Sequence, residues 1–333
     1  MNTVESELKR IDPKRFKQDK RLAQQERRLY SLGATEETIQ SITDVLNYFD
    51  EKEFSRTIPA RDAFYQRLVA LTQGQTIPIV VFNCLDFLWR ESKGSYPLAT
   101  ILDDTSTVIA GYFKGAIQES TQVLASLSPK GDEAVDLCIV VPDSELVDAR
   151  VFPFAQTEER RTQISEQVKV KLTAKMADAT SGEGNSVMFW SEYCERYELQ
   201  SPAMYTAQNA NRLFQAELAG DENPKEKNIF SGVRNQINHS YQYLRNQGLS
   251  VQYLQWEFPP DEFERRIIWY CAMYMGEGQA LADSGAIALN LEDLRVPKWY
   301  NVGSNDRLPI VTPVNPNKYY QWRSSKKTTM IQQ

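Results

Sequence analysis

The sequence predicts an α/β fold, a parallel sheet flanked by helices. Three observations carry that expectation. Short apolar runs recur, such as Ile77-Pro78-Ile79-Val80-Val81-Phe82-Asn83, and their near-continuous β-branched and aromatic character is that of strands buried on both faces. Longer stretches of helical periodicity separate these runs. No hairpin signal joins one run directly to the next, so crossover helices and parallel pairing are the expected connections.

Taken in order, residues 1–34 form a charged N-terminal arm carrying Lys9, Arg10, Lys14, Arg15, Lys17, Lys20, Arg21, Arg27 and Arg28. So polar a segment reads either as a solvated helix or as a nucleic-acid arm. Helical periodicity covers 35–50 and 58–73, ahead of the first strand. A loop with Lys93-Gly94-Ser95-Tyr96-Pro97 leads to a helix near 111–127, and Val135 to Val141 is the second strand, stopped by Pro142-Asp143. A helix fits 157–177 and the third strand is Ser186 to Trp190. Helical patterns at 201–219 and 227–247 precede a fourth strand, Leu249 to Trp256, and a helix follows at 261–283. One catalytic domain would then span 35–290. From Leu291 the chain is rich in Pro, Asn and aromatics (Pro297, Pro309, Pro313, Pro316), which predicts a C-terminal tail, 291–333, wrapping the body or partly loose.

At 333 residues, with 41% hydrophobic and 25% charged residues, the chain has the make-up of a soluble globular protein with a sizeable core. No apolar run approaches the roughly 20 residues that cross a bilayer, and no signal-peptide core is seen. The four scattered cysteines, Cys84, Cys138, Cys194 and Cys271, fit reduced thiols, so a cytoplasmic location is expected. The net charge of −6 argues against indiscriminate coating of nucleic acid and leaves room for a local basic patch.

There is a single histidine, His239, and any Ser-His-Asp machinery must run through it. Neither Cys-x-x-Cys, His-Glu-x-x-His nor an acidic calcium loop occurs, and the expectation is no metal and no cofactor. Gly276-Glu277-Gly278 falls inside a late helix rather than after a strand, so a nucleotide loop of the usual kind is disfavoured.

The helix at 157–177 has Thr157 as a candidate N-cap, with Glu158 and Glu159 at the positive end of its dipole. Ile164, Val168, Leu172 and Met176 form one apolar stripe, and Arg160, Lys171 and Lys175 fall along one flank of it. Such an edge serves solubility or meets phosphates. At the end of the fourth strand, Tyr253 and Glu257 stand four residues apart, so they address the same side of the strand. A phenol beside a carboxylate is a workable acid/base pair, and equally a packed tyrosine beside a solvated glutamate.

In their order, these pieces resemble the tRNA-dependent cyclodipeptide synthases. Tyr253-x-x-x-Glu257-x-Pro259 stands where that family has its Tyr-x-x-x-Glu-x-Pro motif. The strand Val187-Met188-Phe189-Trp190-Ser191-Glu192 looks like its third-strand segment, and the basic helix stands where its tRNA-contacting helix follows the second strand. The resemblance covers about residues 75–285. The charged N-terminus and long tail are in keeping with a fungal branch, the arginine-containing cyclodipeptide synthases.

The resemblance implies a Rossmann-like catalytic domain similar to that of class I aminoacyl-tRNA synthetases. It implies an aminoacyltransferase that builds a diketopiperazine from two aminoacyl-tRNAs per turnover, with no metal or cofactor because the esters arrive activated. Glu257 and Tyr253 would handle the substrate amine, with Tyr274 near the position of a further catalytic tyrosine. The family's serine after the first strand is replaced here by Asn83-Cys84-Leu85-Asp86, so Cys84 is the nucleophile candidate, its other reading being a small buried hydrophobe.

Asn83, Asp86, Glu192 and Trp190 are the candidate substrate contacts, Asp86 and Glu192 being the carboxylates suited to a guanidinium. Arg160, Arg161, Lys171 and Lys175 would meet tRNA phosphates. Two other readings stay open. One is an isocyanide synthase-like enzyme acting on a free aromatic amino acid, and the other is a non-catalytic α/β binding protein.

Overall fold

Among the described residues of the computed structural model, strand β1 (Ile77–Phe82) is the centre of a five-stranded sheet. It pairs in parallel with β2 (Val135–Val141) on one side and with β4 (Ile287–Asn290) on the other. Beyond β2 lies β3 (Ser186–Phe189) and beyond β4 lies β5 (Ile310–Val311), both again parallel, giving the order β3-β2-β1-β4-β5. The structure describes residues 13–51, 61–82, 114–141, 166, 169–170, 173–174, 186–218, 260–290, 296–305 and 307–311.

The helices are α1 (Pro13–Ser31), α2 (Glu36–Glu51), α3 (Arg61–Thr72), α4 (Lys114–Ala125), α5 (Trp190–Arg196), α6 (Pro202–Leu218), α7 (Pro260–Asp283) and α8 (Val296–Ser304). Pro78, inside the central strand, is tolerated because the β4 ladder begins one residue later, at Ile79↔Ile287.

Register explains how one sheet serves two cores. Val81 lies beside Ile139 and Leu289, and those in turn beside Val187 and Val311, in a continuous row. This row and that of Ile79, Leu137 and Ile287 face Phe64, Leu68 and Leu71 of α3, Ile117 and Leu124 of α4, and Ile42 and Phe49 of α2. The neighbouring row, Val80, Cys138, Ala288 and Ile310, points to the opposite face, against α5, α6 and α7. Each fully buried Leu, Ile, Val or Phe contributes about 1.5–3 kcal/mol of transfer free energy. With both faces covered, the strands read as unbroken apolar runs rather than alternations.

The second face mixes Val80, Val140 and Ile310 with the smaller Ala286, Ala288 and Cys138, and the small ones let α7 come close. From Cys271 to Gly278 every residue of α7 is buried, because sheet, α6 and α8 surround it. The α7–α8 crossing runs at backbone distance. A Cβ on Gly278 would sit 2.4 Å from Tyr300 Cα, and one on Gly303 only 1.9 Å from the Met275 carbonyl oxygen. Beside this crossing Glu277 is fully buried, and its Oε2 accepts a hydrogen bond from the Tyr300 hydroxyl at 3.4 Å.

Where both can be compared, the helices follow their periodicity closely: Glu36–Glu51, Pro202–Leu218 and Pro260–Asp283. The segment after 290 departs from a merely wrapping tail, since it supplies α8 and the edge strand β5. The strand β4 also goes beyond the sequence reading. Four residues, Ile-Ala-Leu-Asn, and then two, Ile-Val, are too short to show a period of two, and pairing with β1 makes them strands. Trp190, expected as the end of the third strand, is instead the first residue of α5. The expected fourth strand, Leu249 to Trp256, and the helix 227–247 lie outside the described residues.

The backbone-to-backbone crossing gives a sharp expectation. Gly303→Ala and Gly278→Ala should each cost about 3 kcal/mol or more, because backbone rather than a movable side chain fills the space. Gly115→Ala, in α4 with open space around it, should be neutral or stabilising by up to about 1 kcal/mol. Urea denaturation of the three variants checks both.

Candidate active site

The strand order reverses at β1: the next strands in sequence continue to one side through β2 and β3, while β4 and β5 lie on the other. In open parallel sheets this is where the connections leaving neighbouring strands diverge, opening a crevice beyond their carboxyl ends. Phe82 and Asn290 are the last paired residues there. Asn83, Cys84 and Asp86 follow Phe82 directly in the chain. They lie outside the described residues, as do Tyr253, Glu257, Arg160, Arg161, Lys171 and Lys175.

The carboxyl end of β3 is described in full. Phe189 is the N-cap of α5, with φ −71° and ψ 156°, and Glu192 is the third residue of the helix. The Phe189 backbone N–H donates to Glu192 Oε2 at 2.7 Å. This is half of a capping box, since phenylalanine has no acceptor to return the bond. The other carboxylate oxygen, Oε1, is held by the Lys169 ammonium in a short, partly buried ion pair.

Lys169 Nζ also lies 4.5 Å from the centroid of the Phe189 ring. Residues 166, 169, 170, 173 and 174 are helical, so one side of the expected basic helix meets the end of β3 through Lys169. Both Glu192 oxygens are therefore engaged, and a substrate guanidinium would have to displace Lys169 to reach this carboxylate. Trp190 is fully buried beneath this corner, with its indole N–H unpartnered among the described residues.

Tyr274 lies on α7, 3% exposed, with its ring centroid 6.2 Å from that of Tyr300. It belongs to the same packed core as Trp190 and Tyr193. The described part of the structure thus brings Trp190, Glu192 and Lys169 together at the end of β3 and sets Tyr274 within the core behind them.

A polar group with no signal in the sequence ties β2 to α5. Asp136 accepts from the Tyr197 hydroxyl at 2.5 Å and from Arg196 Nη2 at 2.6 Å, and Arg196 Nη1 also donates to Ser186 Oγ at 3.2 Å. Cys138 Sγ sits 3.7 Å from the Tyr197 hydroxyl and from Ser186 Oγ. Burial, and then the bond to Asp136, hold the Tyr197 phenol far above its usual pKa, so it remains a donor.

Burial likewise pushes the Cys138 and Cys271 thiols up, and both stay protonated and unreactive. The effect is strongest at Cys271, where burial raises the thiol well above its ordinary value, and at Cys138 burial outweighs its hydroxyl partners. Cys194 is buried as well. All three described cysteines are thus core residues, and Cys84 lies outside the described residues. Neither Asp136 nor Lys169 has a local sequence signature, because their partners come from other elements. Among the described residues, no group of His, Cys, Asp and Glu could hold a metal ion, and no helix is long and apolar enough to cross a membrane.

If Glu192 organises this corner, Glu192→Ala should destabilise the fold by about 1–2 kcal/mol through loss of the N-cap bond and a stranded Lys169. Glu192→Gln should recover the N-cap part alone, and chemical denaturation of the two variants separates the contributions. No protein-family model matches the chain, and no curated protein and no solved structure matches it.

Proposed function

We propose that the protein is a tRNA-dependent cyclodipeptide synthase, an aminoacyltransferase that joins two aminoacyl groups into a diketopiperazine, with arginine as one of them. The observation that carries this reading is the order of parts. A parallel sheet with reversed strand order has β3 ending in Trp190-Ser191-Glu192, and a lysine from the preceding basic helix is docked on that end. The order β3-β2-β1-β4-β5 is that of doubly wound sheets and supports a Rossmann-like catalytic domain.

In this reading the first aminoacyl ester passes to the Cys84 thiolate. The ester C–O bond breaks, a C–S bond forms, and the tRNA leaves as its free hydroxyl after taking up a proton. The amine of the second aminoacyl-tRNA then attacks the thioester, forming a peptide bond and releasing the thiol. Glu257 accepts the proton lost by the attacking amine, and Tyr253 orients it. Finally the free amine of the dipeptidyl-tRNA attacks its own ester, closing the ring and releasing the second tRNA. Asn83 and Asp86, within two residues of Cys84 in sequence, contact the substrate. Arg160, Arg161, Lys171 and Lys175, in the basic sequence segment around Lys169, provide phosphate contacts.

Expression in a bacterial host followed by mass spectrometry of the medium should show a diketopiperazine that disappears in Glu257→Gln. Cys84→Ala should lower its yield by about a hundredfold or more, as expected for loss of a nucleophile. Consumption of a free aromatic amino acid with no tRNA requirement would overturn the reading in favour of isocyanide chemistry. Absence of any product and of any aminoacyl-tRNA turnover would leave a binding protein.

A further inference from the structure

We propose that the exposed face of α1 is a docking surface for the phosphate backbone of RNA, and, resting on the synthase reading, for the body of the substrate tRNA. This helix lies outside the sheet, the basic segment 157–177 and every residue assigned to chemistry above. It carries Lys14, Arg15, Lys17, Lys20, Arg21, Arg27 and Arg28 against only Asp19 and Glu26, in a chain of net charge −6.

The cations are not scattered around the helix. At about 100° per residue, the positions of Lys14, Lys17, Lys20, Arg21, Arg27 and Arg28 fall within one arc of about 140°. Asp19 and Glu26 fall on the far side of the helix, and Arg15 stands outside the arc. The described side chains fix the direction of that arc. Gln24, Arg27, Arg28 and Ser31 share it and are all exposed. Outside it, Leu29 is fully buried in the first core, and Gln25 donates to Thr43 of α2 at 3.3 Å. Arg28 donates to both Asp62 oxygens of α3, at 3.0 and 2.8 Å, which pins the C-terminal end of the helix to the body.

The chemistry of the partner follows from what the face lacks. Leu29 is turned into the protein core and the exposed Tyr30 lies outside the arc, so among the described side chains the charged strip lacks the continuous apolar face that enters a bilayer. From Lys14 to Arg27 the line of charge runs about 20 Å, the reach of several successive phosphates. The acidic remainder of the molecule repels a polyanion, so the strip orients the RNA as well as attracting it.

Fluorescence anisotropy of labelled, deacylated bulk tRNA with the full-length chain over a salt series tests the surface independently of catalysis. Lys17→Gln/Lys20→Gln/Arg27→Gln should weaken binding about tenfold or more at low salt. It should also make the slope of log affinity against log salt shallower by about 2. The charge-keeping Lys17→Arg/Lys20→Arg/Arg27→Lys variant should retain both, and equal melting temperatures would show that the fold is intact.

Wild-type affinity and slope in the glutamine variant would overturn the proposal. So would a wild type that ignores tRNA, or a glutamine variant that loses binding to phosphatidylserine vesicles instead. Lost tRNA binding in the variant of a protein that makes no diketopiperazine keeps this surface and removes the synthase. Unchanged binding with diketopiperazine still formed removes the surface and keeps the synthase.

Discussion

The whole architecture hangs on β1 being enclosed on both edges and both faces. Its even and odd residues belong to different cores: Val80 lies beside Cys138 and Ala288, while Val81 lies beside Ile139 and Leu289. A slip of one residue would exchange the two rows, sending Ile139 and Leu289 against α7 and Cys138 and Ala288 against α3, so register is held by volume as well as by hydrogen bonds. The same enclosure determines where chemistry can sit. Both faces are filled, which leaves the carboxyl edge, where β1 and β4 part, as the natural position for a cleft.

The two faces solve the covering problem differently. On the first, branched side chains meet several helices through ordinary interdigitation. On the second, alanines and a cysteine make room for one long helix, and glycines then let that helix meet α8 without intervening side chains. Such a crossing leaves little freedom for adjustment, since a displaced backbone has no rotamer to change. A fully buried Glu277 beside it is a polar group inside a tightly fixed setting, with Tyr300 as one of its partners.

Much of this architecture was legible in the sequence because its signals are local. Ile77 to Phe82 and Val135 to Val141 announce buried strands by composition, and α7 by its length and helical character. The edges were not. β4 and β5 have too few residues to carry a pattern, and only the neighbouring strand makes them part of the sheet. At the candidate site the tripeptide Trp190-Ser191-Glu192 was visible, but the role of Glu192 was not, because its partners are a backbone N–H one turn earlier and a lysine from another helix. Asp136, Tyr197 and Arg196 were silent for the same reason: an ion pair that spans β2 and α5 leaves no spacing to read.

The pairing of β1 with β4 also bears on how the chain is made. Ile79 and Ile287 are neighbours in the sheet although about 200 residues separate them in sequence. At the usual rate of roughly 5–20 residues per second of synthesis, β1 emerges about 10–40 s before its second partner exists. Throughout that interval one edge of the most apolar strand in the sheet offers its unpaired backbone groups to any other strand nearby. The closing of the sheet is therefore a late event of biosynthesis, and the nascent chain, rather than the finished molecule, is the form most exposed to misassembly.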